Sequence, residues 1–331
     1  MLAKINNYKN FVINFYKIRK QNKNIQRQAK AAAYIYDEII KGTPVEKIEK
    51  NIDKKVSKEI KSILINLKKI GYIKNLNLKP ANSLSVVIPH YNHQKHLNQA
   101  LESLKKQTVE PNEIIVVDDL SDNIELTKKT VCKYKNLLNI KLIVPEKKLY
   151  AGGCRQLGAE SAKSSIISMH DADDISHPSR IELTKYFFKN HPDALHLNFG
   201  LVRFKNSFFD FLKKFEKDEL DKNIIKTEEI SKTMRQIFIE QRLSVLNQPE
   251  TKIGCYGTNG NYFWGCGSGH VNYRKKVVDL VKWTGPKNYV FTKYEDYEFN
   301  LLLFLAAKKS FQVDLPLIYY RIGTSTNEVN Y

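Results

Sequence analysis

Between residues 84 and 170 the chain alternates short β-branched runs with longer amphipathic stretches. Leu84-Ser85-Val86-Val87-Ile88, closed by Pro89, is almost wholly apolar, as expected of a parallel strand covered on both faces. Leu97, Ala100, Leu101 and Leu104 then recur at helical spacing and make one apolar face. Ile114-Ile115-Val116-Val117 predicts a second strand, which ends in Asp118-Asp119. A helix around Ile124–Tyr134 leads to a third strand, Ile140–Val144, and a helix near Gly153–Ala162 leads to a fourth, Ile166–Met169. Strand and helix alternating at this interval predict a doubly wound α/β fold on a parallel sheet.

Residues 1–80 carry a different pattern. Tyr8, Phe11, Val12, Phe15 and Ile18 fall near one helical face, with Lys9, Lys17, Arg19 and Lys20 around it. A second helix is expected over Ala29–Ile40, stopping at Gly42-Thr43-Pro44, and a third from about Lys55 to Ile70 with Gly71 as its C-terminal cap. The stretch Asn75–Ser83, with Pro80 in it, reads as a linker. The expected division is a basic helical domain over residues 1–80 and a larger α/β domain over 84–331.

Charge sharpens that division. Residues 1–80 hold 19 Lys and Arg against 6 Asp and Glu, a net of +13 out of +19 for the chain. The basic character therefore describes the arm's partner and not the larger domain. Packing on the main domain or self-association, and contact with an anionic membrane surface, both fit the arm. Nucleic acid is the least favoured partner, and because an AT-rich coding sequence also produces lysine richness, the charge weighs less as evidence for any of them. No run approaches the roughly 18–20 apolar residues of a membrane span, and no secretory leader is evident. Cys132, Cys154, Cys255 and Cys266 form no C-x-x-C pair. The expectation is a cytoplasmic protein with reduced thiols, its arm able to contact the inner membrane face.

In doubly wound sheets ligands bind outside the carboxyl ends of the strands. Here those ends carry His90-Tyr91-Asn92, Asp118-Asp119 and Asp171-Ala172-Asp173-Asp174. Asp171, Asp173 and Asp174 repel one another at a buried strand end, and a divalent cation removes that cost. Hard oxygen ligands point to Mg²⁺ or Mn²⁺. Helix capping is the competing reading for Asp174 and Ser176, and equally for Ser121 or Asp122 after the second strand. Carboxylates at Asp118-Asp119 can accept hydrogen bonds from a base or ribose, and Tyr91 offers a face for stacking. Gly152-Gly153 and Gly265–Gly269 match neither G-x-G-x-x-G nor the P-loop pattern, which argues against a dinucleotide oxidoreductase and a P-loop kinase. Phosphate charge then falls to a metal and a cation, for which Arg155 is the nearest candidate.

Taken in order, Ser85–Asn92, Glu113–Ser121 and Asp171-Ala172-Asp173-Asp174 with Pro178 resemble the motifs of glycosyltransferase family 2. The resemblance covers about residues 84–325. It implies the GT-A fold, a Rossmann-like doubly wound mixed sheet, here with an N-terminal helical appendage. It also implies inverting transfer of a sugar from a UDP-linked donor to a glycan or lipid-linked acceptor. Asp171-Ala172-Asp173 would be the DxD motif, with Asp173 the main metal ligand and Asp171 near ribose and metal. Pro89, Tyr91 and Asp119 would lie around the base, and Arg155 near the diphosphate, followed by Gln156 where the family pattern has Asn.

Downstream, Tyr294-Glu295-Asp296-Tyr297 resembles the family's "ED" motif, which implies Asp296 as general base with Glu295 beside it. An acidic first helical turn is the plain reading of the same residues. Gly323 stands where many relatives carry a histidine, so His270 enters as a replacement metal ligand. Trp264 is a candidate acceptor platform, with core packing as its alternative. Nucleotidyl transfer on a related fold, or a non-catalytic binder acting through the basic arm, are the competing functions.

Overall fold

The computed structural model describes residues 79–204, 214–225, 269–278, 281–283 and 310–321, with single positions including 295, 296, 299, 300, 303 and 323. The expected helices of residues 1–80 and the whole stretch 226–268, Trp264 with it, lie outside the described residues.

The patterned half folds as its periodicity dictates. Strand β1 (Leu84–His90), helix α1 (Gln94–Lys105), β2 (Glu113–Asp118), α2 (Ile124–Cys132), β3 (Ile140–Ile143), α3 (Tyr150–Ser161) and β4 (Ile166–Met169) follow one another without interruption. β1 pairs in parallel with both β2 and β4, and β2 with β3. The apolar runs are buried because layers cover both faces: Val86, Val87, Ile114, Val116 and Ile166 have no exposed surface. Leu97, Ala100, Leu101 and Leu104 of α1 are likewise fully buried, each Leu contributing about 1.5–3 kcal/mol relative to exposure. Gly158 shows how closely α3 lies on the sheet: a Cβ there would collide with Val87 Cγ1 and come within 3.2 Å of Val117 Cγ2.

The second half makes the sheet mixed. After β5 (Ile175–Ser176) and α4 (Arg180–Asn190) come β6 (His196–Phe204), α5 (Lys217–Lys222), β7 (Ile224–Ile225), β8 (Asn272–Arg274) and β9 (Ser310–Arg321). The strand order is β3-β2-β1-β4-β8-β6-β9-β5, with β7 paired to β9. β8 runs antiparallel to β4 and β6, and β9 antiparallel to β5 and β7. The first four strands of that order are parallel, the antiparallel β8 makes the sheet mixed as the GT-A resemblance implies, and β6 and β9 pair in parallel beyond it. Ile224–Ile225 is a two-residue strand against β9.

Two registers carry the site. Ser168 lies opposite Asn272, which aligns the residues just beyond β4 with those just before β8. Ile175 lies opposite Tyr319, which brings the end of β9 alongside Asp173 and Asp174. Neither pairing was legible in the periodicity, because both join segments far apart in the chain.

Candidate active site

The site begins at the carboxyl end of β2. Asp118 is fully buried and accepts hydrogen bonds at its two oxygens from His90 Nδ1 (2.8 Å) and the Ser121 amide (2.7 Å). Burial opposes its charge, but the bonds from His90, Ser121 and Thr127 outweigh burial and hold the carboxyl below its ordinary value. These bonds join β1 to the loop after β2.

Asp119 faces α3. Its carboxylate accepts the amides of Leu149 (2.7 Å) and Tyr150 (2.8 Å), so it caps that helix from another element. Lys148 Nζ lies 3.5 Å from Asp119 Oδ2 and 2.9 Å from the centroid of the Tyr91 ring. Pro89 pairs with Val117 within the sheet and is half-buried. The expected caps at Ser121 or Asp122 are not formed. Asn123 caps α2, accepting the Leu126 amide through its side chain, because it stands three residues before that free donor. Asn92, Leu120 and Tyr150 all adopt positive φ, near 60°, around this end of the sheet. Strained backbone of this kind clusters where a site needs loops held in one shape.

Arg155 joins this region to the acidic cluster. It projects from α3 with a nearly buried side chain, Nη2 bonding Asp171 Oδ1 and Nη1 bonding Glu295 Oε1, both at 2.6 Å. Burial disfavours its charge, but Asp171, Glu295 and Asp296 more than compensate and push its pKa upward. The guanidinium lies 5.0 Å from the ring of Trp283, which stacks on Phe299 at 3.9 Å. Gln156, the departure from the family pattern, accepts the Trp283 amide. Phe299 belongs to that aromatic layer, and beside it Asn300 Nδ2 donates to the Asp296 carbonyl.

The cluster itself differs from the expected assignment. Asp174 is not a helix cap: the N-cap of α4 is Ser179, which makes no side-chain cap bond. Instead Asp174, 1% exposed, accepts the Arg321 amide (2.7 Å) and meets His270 Nε2 at 2.6 Å. The β5–β9 register puts that amide there before any helix amide comes within reach. Burial, then Asp173 and Asp171, push the Asp174 carboxyl well above its ordinary value. Burial also opposes the charge of Asp171, yet Arg155, His270 and Arg180 hold its carboxyl down. His270 is driven to about 3, chiefly by burial. Asp171, Asp174 and His270 offer ligand atoms all within 4.8 Å of one another. Asp173 is not in that group; its carbonyl accepts Arg321 Nε. Ala172 is buried within the hydrophobic core.

Several contributors escaped sequence reasoning. Arg180 is fully buried below the cluster, its Nη2 donating to Ser168 Oγ and to the carbonyls of Met169 and His270. Lys148 and His170 also bear on the site. His170 had one sequence signal, its place next to Asp171, and Lys148 had none, because its contacts with Asp119 and Tyr91 join separate segments.

The mixed sheet with its site at the carboxyl ends of β1, β2 and β4 defines the GT-A class of fold. The family model "Glycosyl transferase family 2" matches residues 85–254, just over half of the chain, and the chain belongs to that family. It is similar to the amylovoran biosynthesis glycosyltransferase AmsE of Erwinia amylovora, 31% identical over 132 residues, covering 39% of this chain and 49% of that protein. It is also similar to the poly(ribitol-phosphate) beta-N-acetylglucosaminyltransferase TarP of Staphylococcus aureus, 28% identical over 185 residues, 47% of this chain and 55% of that protein. The chain thus spans about half the length of these curated relatives. Among solved structures, S. aureus TarS 1-349 in complex with UDP-GlcNAc matches with a TM-score of 0.53 at 20% identity, covering 75% of this chain and 61% of that one. That likeness establishes the fold.

Such a fold commonly carries Mn²⁺ or Mg²⁺, and the donor set fits. Two carboxylates and one imidazole converge, the Asp171 carboxylate partly exposed and that of Asp174 buried. An imidazole beside carboxylates suits Mn²⁺ better than Mg²⁺. Among the described residues no helix is long and apolar enough to cross a membrane. Of the cysteines, Cys132 and Cys154 are free thiols, and burial pushes Cys154 up. Cys255 and Cys266 lie outside the described residues.

Proposed function

We propose that this protein is an inverting, metal-dependent glycosyltransferase that moves a sugar from a UDP-linked donor to a hydroxyl of a glycan or lipid-linked acceptor of a bacterial surface polysaccharide. One observation carries this reading: Arg155 is bonded at once to Asp171 of the acidic cluster and to Glu295, the neighbour of Asp296. It ties the donor half of the site to the half that would receive the acceptor. Asp119 and Tyr91, with Lys148 between them, form the end suited to a base and ribose. Asp171, Asp174 and His270 would hold the cation, with Asp173 adjacent. A bound Mn²⁺ or Mg²⁺ would neutralise the diphosphate as it departs. Arg155 adds a fixed positive charge on the same side.

Asp296 would take the acceptor hydroxyl's proton as the oxygen attacks the anomeric carbon. A base opposite the leaving diphosphate produces inversion in one displacement. The basic arm over residues 1–80 would pack on the GT-A domain, self-associate or rest on an anionic membrane surface, consistent with a cytoplasmic protein whose acceptor is lipid-linked.

The test is a panel of nucleotide sugars read by nucleotide release, with and without EDTA. The expected result is UDP release from one UDP-sugar, abolished by EDTA and restored by Mn²⁺. Release of GDP, or UDP release that EDTA leaves intact, overturns the donor or the metal part respectively.

A further inference from the structure

His170 plays no part in the chemistry above, yet it stands directly behind the cation site. The β4–β8 register sets it opposite His270, and the two Nδ1 atoms lie 3.3 Å apart with ring centroids at 5.1 Å. Both rings are buried, 0% and 1% exposed. The other nitrogen of His270, Nε2, faces Asp174 Oδ2 at 2.6 Å and Asp171 Oδ2 at 3.7 Å. The other nitrogen of His170, Nε2, is buried and has no hydrogen-bond partner among the described residues.

We infer that His170 is a positioning residue for the cation site: its Nδ1 decides which nitrogen of His270 carries hydrogen, and so whether His270 Nε2 is a donor or a ligand. The inference rests on the metal reading of Asp171, Asp174 and His270. One hydrogen occupies the contact between the two Nδ1 atoms, and it belongs to one ring or the other. If His170 donates, His270 carries its hydrogen on Nε2 and gives it to Asp174, which is the arrangement suited to a site without a cation. If His270 donates, its Nε2 lone pair points at the two carboxylates and is ready to bind a metal. His170 then carries its hydrogen on Nε2, a buried donor left without an acceptor. Loading the site therefore moves two hydrogens, one on each ring, and no net proton is exchanged with solvent by the pair. Ligating histidines are commonly fixed through their second nitrogen by a carboxylate or carbonyl. Here a second histidine, which can accept or donate, takes that place.

The experiment uses the full chain and Mn²⁺ alone, with free Mn²⁺ read by electron paramagnetic resonance. Removing the acceptor in His170→Phe should weaken Mn²⁺ binding about 10–100-fold. His170→Gln, whose amide oxygen can accept from His270 Nδ1, should recover most of that loss. His270→Ala separates the two layers of the claim. If it binds Mn²⁺ like the wild type, the cation site itself is wrong. If it loses binding while His170→Phe does not, the positioning role alone is overturned. Should His170→Phe fail to fold, the unmodified protein still decides the matter. Histidine ¹H–¹⁵N spectra with diamagnetic Zn²⁺ should show the His270 hydrogen shift from Nε2 to Nδ1, and a hydrogen that stays on Nε2 in the loaded protein refutes the inference.

Discussion

A single methyl group at position 269 should disable the site while leaving most of the fold intact. A Cβ built on Gly269 falls 2.5 Å from Asp171 Oδ2 and 2.7 Å from Arg155 Nη2. Non-bonded contacts to carbon are comfortable at about 3.5 Å, so each neighbour must retreat by about 1 Å. Those neighbours belong to one 2.6 Å ion pair, and Asp171 is also a proposed cation ligand. Asp171 is 21% exposed and can swing outward, so the stability cost of Gly269→Ala should sit near the low end of the ~1–3 kcal/mol expected for overpacking. The catalytic cost is larger. A 1 Å misplacement of a catalytic group costs about 10²-fold, or about 3 kcal/mol in the barrier. Gly323→Ala serves as a comparison: Gly323 has φ +86° and nothing within 4 Å of its Cβ, so it should lose about 1 kcal/mol of stability through backbone strain. The assay pairs UDP release kinetics with thermal melting and Mn²⁺ binding. Wild-type kcat/KM together with wild-type Mn²⁺ affinity in the G269A enzyme would refute the placement of Asp171 and Arg155 in the donor site.

Three further outcomes follow from the same geometry. Asp296→Asn should lower transfer by about 10²–10⁴-fold while UDP binding by calorimetry is kept; near-normal turnover removes Asp296 from the base role. His196 is held at about 4 by burial, whereas the unfolded chain titrates near 6.5. Protons therefore favour the unfolded chain as pH falls from about 6.5 to 4, at a total cost of about 3 kcal/mol that levels off below that window. His196→Gln should flatten urea-unfolding midpoints between these pH values, and an unchanged slope would show that His196 is not buried as a neutral ring. UDP should raise Mn²⁺ affinity and Mn²⁺ should raise UDP affinity by the same factor, measured by paired titrations; independent binding would take the cation out of the donor site.

The strands and helices that could be read from the sequence are those with strong periodicity and complete burial. β1, β2 and β4 and the apolar face of α1 were legible because each residue's neighbours in sequence decide its exposure. The strand-end carboxylates were legible because topology alone sends ligands there. What the sequence hid was pairing between distant segments. Asp174 looked like a helix cap from its own neighbourhood, and the β9 amide of Arg321 assigns it otherwise. Asp119 looked solely like a ligand group, yet it also holds the first turn of α3. His270 was suggested only by the lack of a histidine at position 323, whereas the β4–β8 register gives the direct reason.

The same tertiary contacts alter the electrostatic argument for a metal. Taken from sequence, three adjacent carboxylates demand a cation. In the fold, Arg155 bonds Asp171, Arg321 wraps Asp173 and Asp174 through their carbonyl and carboxylate, and Arg180 lies beneath. Arg155 is shared with Glu295, and Arg321 reaches Asp174 through its backbone amide. The arginines therefore offset the acidic cluster only in part, and burial with its two neighbours keeps the Asp174 carboxyl raised. A diphosphate changes the balance, since it brings negative charge that Arg155 and the cation can share. On the proposed reading, cation and diphosphate would therefore strengthen each other's binding, which is the reciprocity that the paired titrations measure.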